Sequence, residues 1–246
     1  MKTEISEIRT IETCFSPALF PHILTGENYI VVIIDILRAT TAICTAFKNG
    51  ATEIVPVANI EDTKKYRSLG YMIAGERNGI VIEGADFGNS PFNFTEENVK
   101  GKKIVITTTN GTQTIETAKT SDTVVLGAFS NIYVLTEWLA AQNKNVLLLC
   151  SGWKNKFNLE DSIMAGAIAE RLLTNGFVTC CDSTAAAIDL WDIAKPDVIE
   201  YIEKAAHRHR LKKLGLDDVL QYCFTPDTAN VIPLLKNNAF IDVLKK

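Results

Sequence analysis

The stretch that decides the fold runs from Tyr29 to Ala46 and reads Y-I-V-V-I-I-D-I-L-R-A-T-T-A-I-C-T-A. Its first six residues are apolar and mostly β-branched, which is typical of a strand buried on both faces in a parallel sheet. From Ala39 onward the apolar residues recur at helical spacing, so a helix follows the strand almost directly. The pattern predicts a strand–turn–helix unit whose turn holds Asp35 and Arg38.

This turn carries groups that suit an anionic ligand. Open α/β sheets bind ligands at the carboxyl ends of their strands, and free amides at a helix start favour an anion. Asp35 suits a hard cation, Arg38 suits a phosphate or sulfonate, and Thr40 and Thr41 add hydroxyl groups. For this turn taken alone, the alternative is that Asp35 caps the helix and pairs with Arg38.

Two further strand ends carry similar groups. The predicted strand at 103–106 runs into T-T-T-N-G-T (Thr107 to Thr112), whose hydroxyls and glycine suit a backbone nest for anions. The predicted strand at 145–150 ends at Ser151-Gly152-Trp153, and the long helix predicted at 159–174 carries Glu160 and Asp161 in its first turn. In the alternative, these groups merely cap their helices.

Together the three strand ends predict a site for Mg²⁺ and a phosphorylated ligand. Mg²⁺ uses a few carboxylates together with water and substrate phosphate, and Asp35 with one or both of Glu160 and Asp161 supplies that number. Arg38, Arg77 and either Lys154 or Lys156 are available in polar turns to meet the charge of an anionic substrate.

Strands alternating with helices predict an α/β protein with a mostly parallel sheet. At 246 residues, 47% of them apolar, the chain can form one large domain or two small ones. The glycine-rich segment 75–91 is predicted to be a functional loop, or alternatively a hairpin with Asn78-Gly79 as its turn. Short helices are predicted at 183–191, 196–210 and 217–223, followed by two closing strands at 231–235 and 239–243.

Net charge argues against some classes of partner, and cysteine usage indicates the compartment. A net charge of −4 and a pI of about 5.5 argue against nucleic acid and anionic membranes as partners. The one basic cluster, residues 207–213, is predicted to be a solvated helix face. We find neither a signal-peptide core nor the ~18 apolar residues of a membrane span. Six cysteines without CxxC spacing indicate buried thiols, so we expect a reducing cytoplasm.

Several phosphate-binding and catalytic patterns are absent from the sequence. No Walker A or GxGxxG motif occurs. A haloacid-dehalogenase phosphatase would need an aspartate where Leu37 stands, and a Cys-x5-Arg phosphatase would need an arginine where Lys156 follows Cys150. The three histidines offer no clear zinc set.

Five motifs together resemble the 2-phosphosulfolactate phosphatase family. They are D-I-L-R-A-T-T (35–41), G-E-R (75–77), G-N-S-P (88–91), T-T-T-N-G-T (107–112) and S-G-W with E-D and A-G (151–153, 160–161, 165–166). They occur in the family's order and span about residues 30–190. The resemblance implies Mg²⁺-dependent hydrolysis of 2-phosphosulfolactate to sulfolactate and phosphate, a step of coenzyme M biosynthesis in methanogens.

The resemblance also implies a fold and a set of site residues. The fold would have two similar, intertwined three-layer α/β/α domains, which we place at 1–126 and 127–246. Asp35, Arg38, Glu160 and Asp161 would be catalytic, with Mg²⁺ on Asp35, Glu160 and Asp161. The predicted substrate-binding residues are Thr40, Thr41, Arg77, Asn89, Ser90, Asn110, Gly111, Thr112, Ser151, Gly152 and Trp153.

Some alternatives stay open at this point. The attacking group is either a metal-bound water, which we favour, or Asp35 itself as a nucleophile. The partner is expected to be a small anionic phosphorylated molecule, and a homodimer is left open. The chain could also be a phosphatase for another small phosphorylated hydroxy acid, or an inactive anion-binding or regulatory protein.

Overall fold

The structure, a computed structural model, describes residues 8–23, 28–216 and 218–245. The first seven residues, where no signal-peptide core was found, and Asp217, the start of the helix predicted at 217–223, fall outside the described residues. Strands and helices alternate along most of the described chain, and the strands form a mostly parallel sheet. The predicted α/β class is therefore confirmed.

The elements have the following bounds. The strands are β1 (Ile11–Cys14), β2 (Tyr29–Ile34), β3 (Glu53–Pro56), β4 (Met72–Arg77), β5 (Ile80–Val81), β6 (Lys103–Thr107), β7 (Thr123–Gly127), β8 (Asn145–Cys150), β9 (Pro233–Lys236) and β10 (Ala239–Asp242). The helices are α1 (Phe20–Ile23), α2 (Ala39–Lys48), α3 (Thr63–Ser68), α4 (Glu96–Val99), α5 (Gly111–Ala118), α6 (Ile132–Ala141), α7 (Leu159–Thr174), α8 (Asp182–Ala194), α9 (Val198–Ile202), α10 (Ala206–Lys213) and α11 (Leu220–Phe224).

One mixed sheet of ten strands runs through the described chain, in the order β1-β8-β2-β7-β9-β10-β3-β6-β4-β5. Strands β1, β8, β2 and β7 are parallel neighbours, and so are β3, β6 and β4. The hairpin β9–β10 lies antiparallel between the two groups. Its two-residue loop, Asn237 and Asn238, has φ of 52° and 64°, as a tight hairpin turn requires.

The structure does not show the two expected domains. The strands of the described chain all belong to a single sheet. Strand β2 lies between β7 and β8, so strands from both sides of residue 126 are neighbours. The division at 1–126 and 127–246 stays a prediction.

Strand β2 is the central strand of its group, as its composition predicts. Ile30 to Ile34 are all buried, so both faces of the strand are covered. Ile34 pairs with Gly127 of β7 and with Cys150 of β8. Because the three strands are parallel and in register, the turns that follow them meet at one edge of the sheet. That edge carries the site.

Strands β3 and β6 and the neighbouring β10 pack their two faces against different parts of the core. Ile54, Ile104 and Phe240 belong to the main core, whereas Val55 and Val105 belong to a smaller cluster. Adjacent residues of a strand point to opposite faces, so this split follows directly from the period of two. The smaller cluster packs against Tyr66 and Tyr71.

Helix α7 has the predicted bounds, and it packs closely against α8. A Cβ atom built on Gly166 would lie 2.0 Å from the carbonyl oxygen of Ala187. This approach requires glycine at position 166 and fixes α8 against α7.

Several local predictions differ from the structure. The edge strand β1 was not predicted, and the helix predicted at 196–210 is two helices, α9 and α10. The segment 75–91 begins as the alternative hairpin: β4 extends to Arg77 and pairs with β5 around Asn78-Gly79. Among the helices of the described chain, none has the length and apolar character needed to span a bilayer.

Candidate active site

A cavity of about 420 Å³ lies at the carboxyl ends of the central strands. Its lining contains five of the predicted site residues, namely Asp35, Arg38, Asn89, Asn110 and Trp153, together with Lys154. These residues follow β2, β6 and β8 or lie in the loop after β5, so the parallel register brings them to one place. The volume falls within the roughly 300–1,000 Å³ range of small-molecule sites.

Asp35 is buried at the end of β2, with 8% of its surface exposed. Burial raises the pKa of its carboxyl group to about 6, the nearby His207 opposes that rise, and Glu76 and Glu160 add to it. Its Oδ1 atom accepts a long hydrogen bond of 3.4 Å from the amide of Ala39. The cap predicted in the alternative is therefore weak, and the carboxylate remains available to the cavity.

Arg38 donates from Nη2 to Oδ1 of Asn89 at 2.9 Å, instead of pairing with Asp35. Its side chain is 5% exposed, and burial lowers its pKa from the usual value for arginine. The contact joins the turn after β2 to the loop after β5. It also fixes the plane of the guanidinium group at the cavity wall.

Thr40 and Thr41 stabilise the turn and do not line the cavity. The amide of Asp35 donates to Oγ1 of Thr40 at 3.2 Å, and Oγ1 of Thr41 donates to the carbonyl of Ile36 at 2.9 Å. Both hydroxyl groups are thus used within the chain. Their predicted direct contact with substrate has no geometric support.

Asp161 connects two strand ends. Its Oδ1 accepts from the amide of Ile36 at 3.0 Å, and its Oδ2 accepts from the amide of Gly152 at 3.0 Å and from Asn158 at 2.9 Å. The carboxylate is buried, and burial, followed by the charges of Asp35 and Glu160, raises its pKa well above the usual value. These bonds position the turns after β2 and β8.

Glu160 lies beside Asp161 and has one carboxylate oxygen without a partner. Its Oε1 contacts Nδ1 of His207 at 2.9 Å and accepts from Asn158 at 3.0 Å. Its Oε2 is buried and has no hydrogen bond within the part of the chain that the structure describes. A buried carboxylate oxygen without a partner is suited to a cation or a donor that the chain itself does not supply.

Asp35 and Glu160 therefore fit a hard cation better than Asp161 does. In the described ranges no three His, Cys, Asp or Glu side chains form a ready ligand set. Mg²⁺ does not need one, because it is held by one or two carboxylates plus water and substrate phosphate. The predicted Mg²⁺ site stays a prediction, with Asp35 and Glu160 as its best-suited ligands.

Glu76 lines the cavity although it was not among the predicted site residues. Its carboxylate accepts from the amide and the hydroxyl of Thr109, at 2.7 and 3.0 Å, and from the amide of Gly79 at 2.6 Å. It thereby joins the β4–β5 hairpin to the turn after β6. Glu76 belongs to the G-E-R motif, from which the sequence prediction selected Arg77 instead.

Arg77 lies outside the cavity lining. It donates to Oγ1 of Thr107 at 2.7 Å and to the carbonyl of Ala58 at 2.9 Å. Glu76 and Arg77 are adjacent on β4 and therefore point to opposite faces. Only Glu76 can face the site, and Arg77 as a substrate-binding residue has no geometric support.

Some residues of the T-T-T-N-G-T turn lie at the cavity, and others only stabilise the turn. Asn110 lines the cavity, and its Oδ1 accepts from the amide of Lys154 at 2.9 Å. Gly111 lies against Asp35, since a Cβ atom built there would be 2.7 Å from Oδ2 of Asp35. Thr112 instead exchanges hydrogen bonds with Thr108 and lines a second cavity.

The remaining predicted residues also fall into two groups. Trp153 lines the cavity, whereas Ser90, Ser151 and Gly152 do not. Ser90 precedes a short 3-10 turn, and the amide of Ser151 donates to the carbonyl of Ile34 at 2.8 Å. Gly152, at φ 60°, donates its amide to Asp161. Ser151 and Gly152 shape the turn that carries Trp153.

Helix α10 supplies residues that the sequence prediction assigned to solvent. His207, Arg210, Leu211, Lys213 and Leu214 line the cavity from this helix and its end. Within the basic cluster 207–213, His207 and Arg208 are buried, whereas His209, Lys212 and Lys213 are exposed. Only part of this cluster therefore forms the solvated helix face that the sequence predicts. The sequence did contain a signal for this face, because His207 and Arg210 are three residues apart and therefore lie on the same side of a helix.

The chain is similar to proteins of one family. A family model described as 2-phosphosulpholactate phosphatase matches residues 14–238. The chain is 39% identical over 210 residues to a protein of Thermotoga petrophila named probable 2-phosphosulfolactate phosphatase, covering 85% of this chain and 90% of that one. A protein of the same name from Gloeobacter violaceus is 39% identical over 223 residues, covering 89% and 92%.

A third relative extends the comparison. It is a probable 2-phosphosulfolactate phosphatase of Caldanaerobacter subterraneus subsp. tengcongensis, 36% identical over 211 residues, with 84% and 88% of the two chains covered. The family match covers nearly the whole chain, including α10, and not only the five motifs. The chain belongs to the 2-phosphosulfolactate phosphatase family.

Proposed function

We propose that the protein is a Mg²⁺-dependent phosphatase that hydrolyses 2-phosphosulfolactate to sulfolactate and phosphate. The observation that carries the proposal is the charge of the cavity lining. Four cationic side chains, Arg38, Lys154, Arg210 and Lys213, line it with two carboxylates, Asp35 and Glu76.

This lining suits a strongly anionic small molecule. The substrate carries a phosphate, a sulfonate and a carboxylate, and the protein as a whole has a net charge of −4. A protein of that sign needs a local positive potential to bind such a ligand. The cavity supplies it, and its volume of about 420 Å³ suits a molecule of this size.

Arg38 is the residue we assign to the phosphate group. A guanidinium binds phosphate through two parallel hydrogen bonds, and Asn89 already holds that of Arg38 in one orientation. Asn110 uses its Oδ1 on the amide of Lys154, which directs its NH₂ group to other acceptors. Both residues would bind phosphate oxygens without first rearranging.

Asp35 and Glu160 would hold Mg²⁺, with Asp161 positioning the turns around them. The bound ion would offset phosphate charge and provide a polarised water. His207 contacts Oε1 of Glu160 and so fixes the direction of the other oxygen, Oε2. The alternative is that Asp35 attacks phosphorus directly; we favour water, because Leu37 stands where the best-known aspartyl-phosphate pattern has a second aspartate.

The first experiment measures turnover of p-nitrophenyl phosphate with Mg²⁺, with and without a chelator. We expect Mg²⁺-dependent release of p-nitrophenol that the chelator abolishes. Binding of phosphate without any turnover would instead identify an inactive anion-binding protein. A panel of small phosphorylated hydroxy acids then identifies the substrate, and a preference for another member over 2-phosphosulfolactate would overturn the substrate assignment.

Two finer expectations rest on the family resemblance. They are a place in coenzyme M biosynthesis and a division into two similar intertwined domains. The sequence leaves a homodimer open, and sedimentation equilibrium decides it, since a homodimer has twice the monomer mass of 27.1 kDa.

A further inference from the structure

Arg210 lies over the indole ring of Trp153, with its Cζ atom 4.1 Å from the ring centroid. Its Nε atom is buried and has no hydrogen-bond partner within residues 8–23, 28–216 and 218–245. In the same ranges its guanidinium forms neither a hydrogen bond nor an ion pair. A buried donor without an acceptor costs free energy, so this group is suited to a ligand that supplies the acceptor.

The helix that carries Arg210 is held in place at its N-terminal end. His207 of α10 contacts Oε1 of Glu160 at 2.9 Å, and its ring lies 5.2 Å from that of Trp153. His207 and Arg210 are three residues apart and therefore share a helix face. The contacts of His207 thus direct Arg210 toward the cavity that both residues line.

Arg38 and Arg210 are held separately in the cavity. Arg38 lies in the turn after β2 and is bonded to Asn89, whereas Arg210 lies on α10 and rests on Trp153. Two further cations, Lys154 and Lys213, line the cavity, and the Nζ atom of Lys154 lies 5.7 Å from the Trp153 ring centroid. Arg210 and Lys154 therefore form a second group of cations around Trp153, and Lys213 lies in the same cavity lining.

We propose that Arg210, stacked on Trp153 and accompanied by Lys154 and Lys213, is a second anion-binding subsite that binds the sulfonate or carboxylate of the substrate. Arg210 is then a specificity-determining residue for the anionic group that accompanies the phosphate. The contact with the ring restricts the guanidinium group before a ligand binds, and its fork of donors can bond two oxygens of a carboxylate or a sulfonate. The phosphate half of this assignment rests on the proposed function.

The test compares Arg210→Gln with wild type on three phosphate esters. 2-Phosphosulfolactate has both further anions, 2-phospholactate lacks the sulfonate, and phenyl phosphate lacks both. We expect kcat/KM to fall roughly 10- to 100-fold for 2-phosphosulfolactate and to stay within about 2-fold for phenyl phosphate. A fall for 2-phospholactate as well assigns the carboxylate to Arg210, and no such fall assigns the sulfonate.

Two further variants separate binding from folding. Arg210→Lys keeps the charge but not the fork or the stacking, so we expect an intermediate loss. Lys212→Gln is the matched control, because Lys212 is an exposed cation of the same helix that does not line the cavity. We expect it to match wild type on all three esters.

Calorimetric titration with sulfolactate provides a readout that does not need turnover. We expect Arg210→Gln to weaken sulfolactate binding roughly 10-fold or more. If wild type hydrolyses none of the esters, the proposed function fails and this titration alone decides on the subsite. Equal losses on all three esters, no loss on any, or unchanged sulfolactate binding would overturn the subsite.

Discussion

Asp161 accepts a hydrogen bond from the amide of Ile36, 125 residues earlier in the chain, at 3.0 Å. The same carboxylate accepts from the amide of Gly152. One buried side chain on α7 thus joins the turns that follow β2 and β8. These turns hold Asp35, Arg38 and Trp153, so the shape of the cavity depends on this carboxylate.

We expect Asp161→Asn to lower the free energy of unfolding by about 1–3 kcal/mol. An amide has one acceptor oxygen, so its NH₂ group would face either the amide of Ile36 or that of Gly152. Relief of repulsion from Asp35 and Glu160 acts in the opposite direction, but it does not replace the lost acceptor. Urea denaturation measures the change.

Asp189→Asn is the matched control for this substitution. Asp189 is exposed on α8, and its replacement is expected to change stability by less than about 0.5 kcal/mol. If Asp161→Asn proves more stable than wild type, repulsion within the carboxylate cluster outweighs the hydrogen bonds.

Asp35→Asn is expected to remove activity while raising stability in Mg²⁺-free buffer. Burial raises the pKa of Asp35 to about 6, which means that the ionised carboxylate destabilises the folded state at pH 7. The rise is about two pKa units, and one unit corresponds to about 1.4 kcal/mol, so the neutral amide should gain up to about 3 kcal/mol. Thermal denaturation in the presence of a chelator measures this gain.

The same variant tests the metal site. Mg²⁺ should raise the melting temperature of wild type, because an ion that binds the folded state stabilises it, and should raise that of Asp35→Asn much less. An equal rise in both proteins would exclude Asp35 as a ligand.

Much of the central fold could be predicted because the signals are local. The run Tyr29–Ile34 and the helical spacing from Ala39 each lie within a dozen residues, and β2 and α2 form where these patterns predict. The position of β9–β10 between β7 and β3 could not be predicted, since strand order depends on pairing between distant segments. A sequence pattern identifies a strand without naming its neighbour.

In the candidate site, too, the residues placed by local signals could be predicted, and those placed by contacts between distant segments could not. Asp35, Arg38 and Trp153 directly follow strands, so parallel register alone brings them together. Arg210 was predicted to face solvent, because its burial depends on Trp153, 57 residues away and on another element. The sequence prediction selected Arg77, whereas the structure places Glu76 in the cavity lining and Arg77 outside it. To choose between them, one would have had to know that β4 continues to Arg77.

Arg38→Lys is expected to lower kcat/KM for phosphate esters roughly 10- to 100-fold while changing stability by about 1 kcal/mol. A lysine keeps the charge but cannot bind phosphate through a planar fork. Steady-state kinetics with p-nitrophenyl phosphate and thermal denaturation measure the two effects.

Arg77→Lys is the matched control, because Arg77 is also near strand ends but donates to Thr107 and Ala58 outside the cavity. We expect its activity to stay within about 3-fold of wild type. If Arg38→Lys instead unfolds, Arg38 is a structural residue and its assignment to phosphate is wrong.

Gly152→Ala tests whether the turn after β8 holds the site in shape. Gly152 has φ 60°, and a Cβ atom built there would lie 2.1 Å from the carbonyl oxygen of Lys156. Gly84 offers a matched control, since it has φ 77° and no heavy atom within 4 Å of its built Cβ atom. Both substitutions incur left-handed backbone strain of roughly 1–2 kcal/mol, and only Gly152→Ala adds a collision with the backbone.

We expect Gly84→Ala to keep full activity. Gly152→Ala should lose roughly 3 kcal/mol or more of stability and most activity, because Trp153 follows directly in the displaced turn. Equal stability losses by urea denaturation together with full activity in both variants would show that the turn can move without disturbing the cavity.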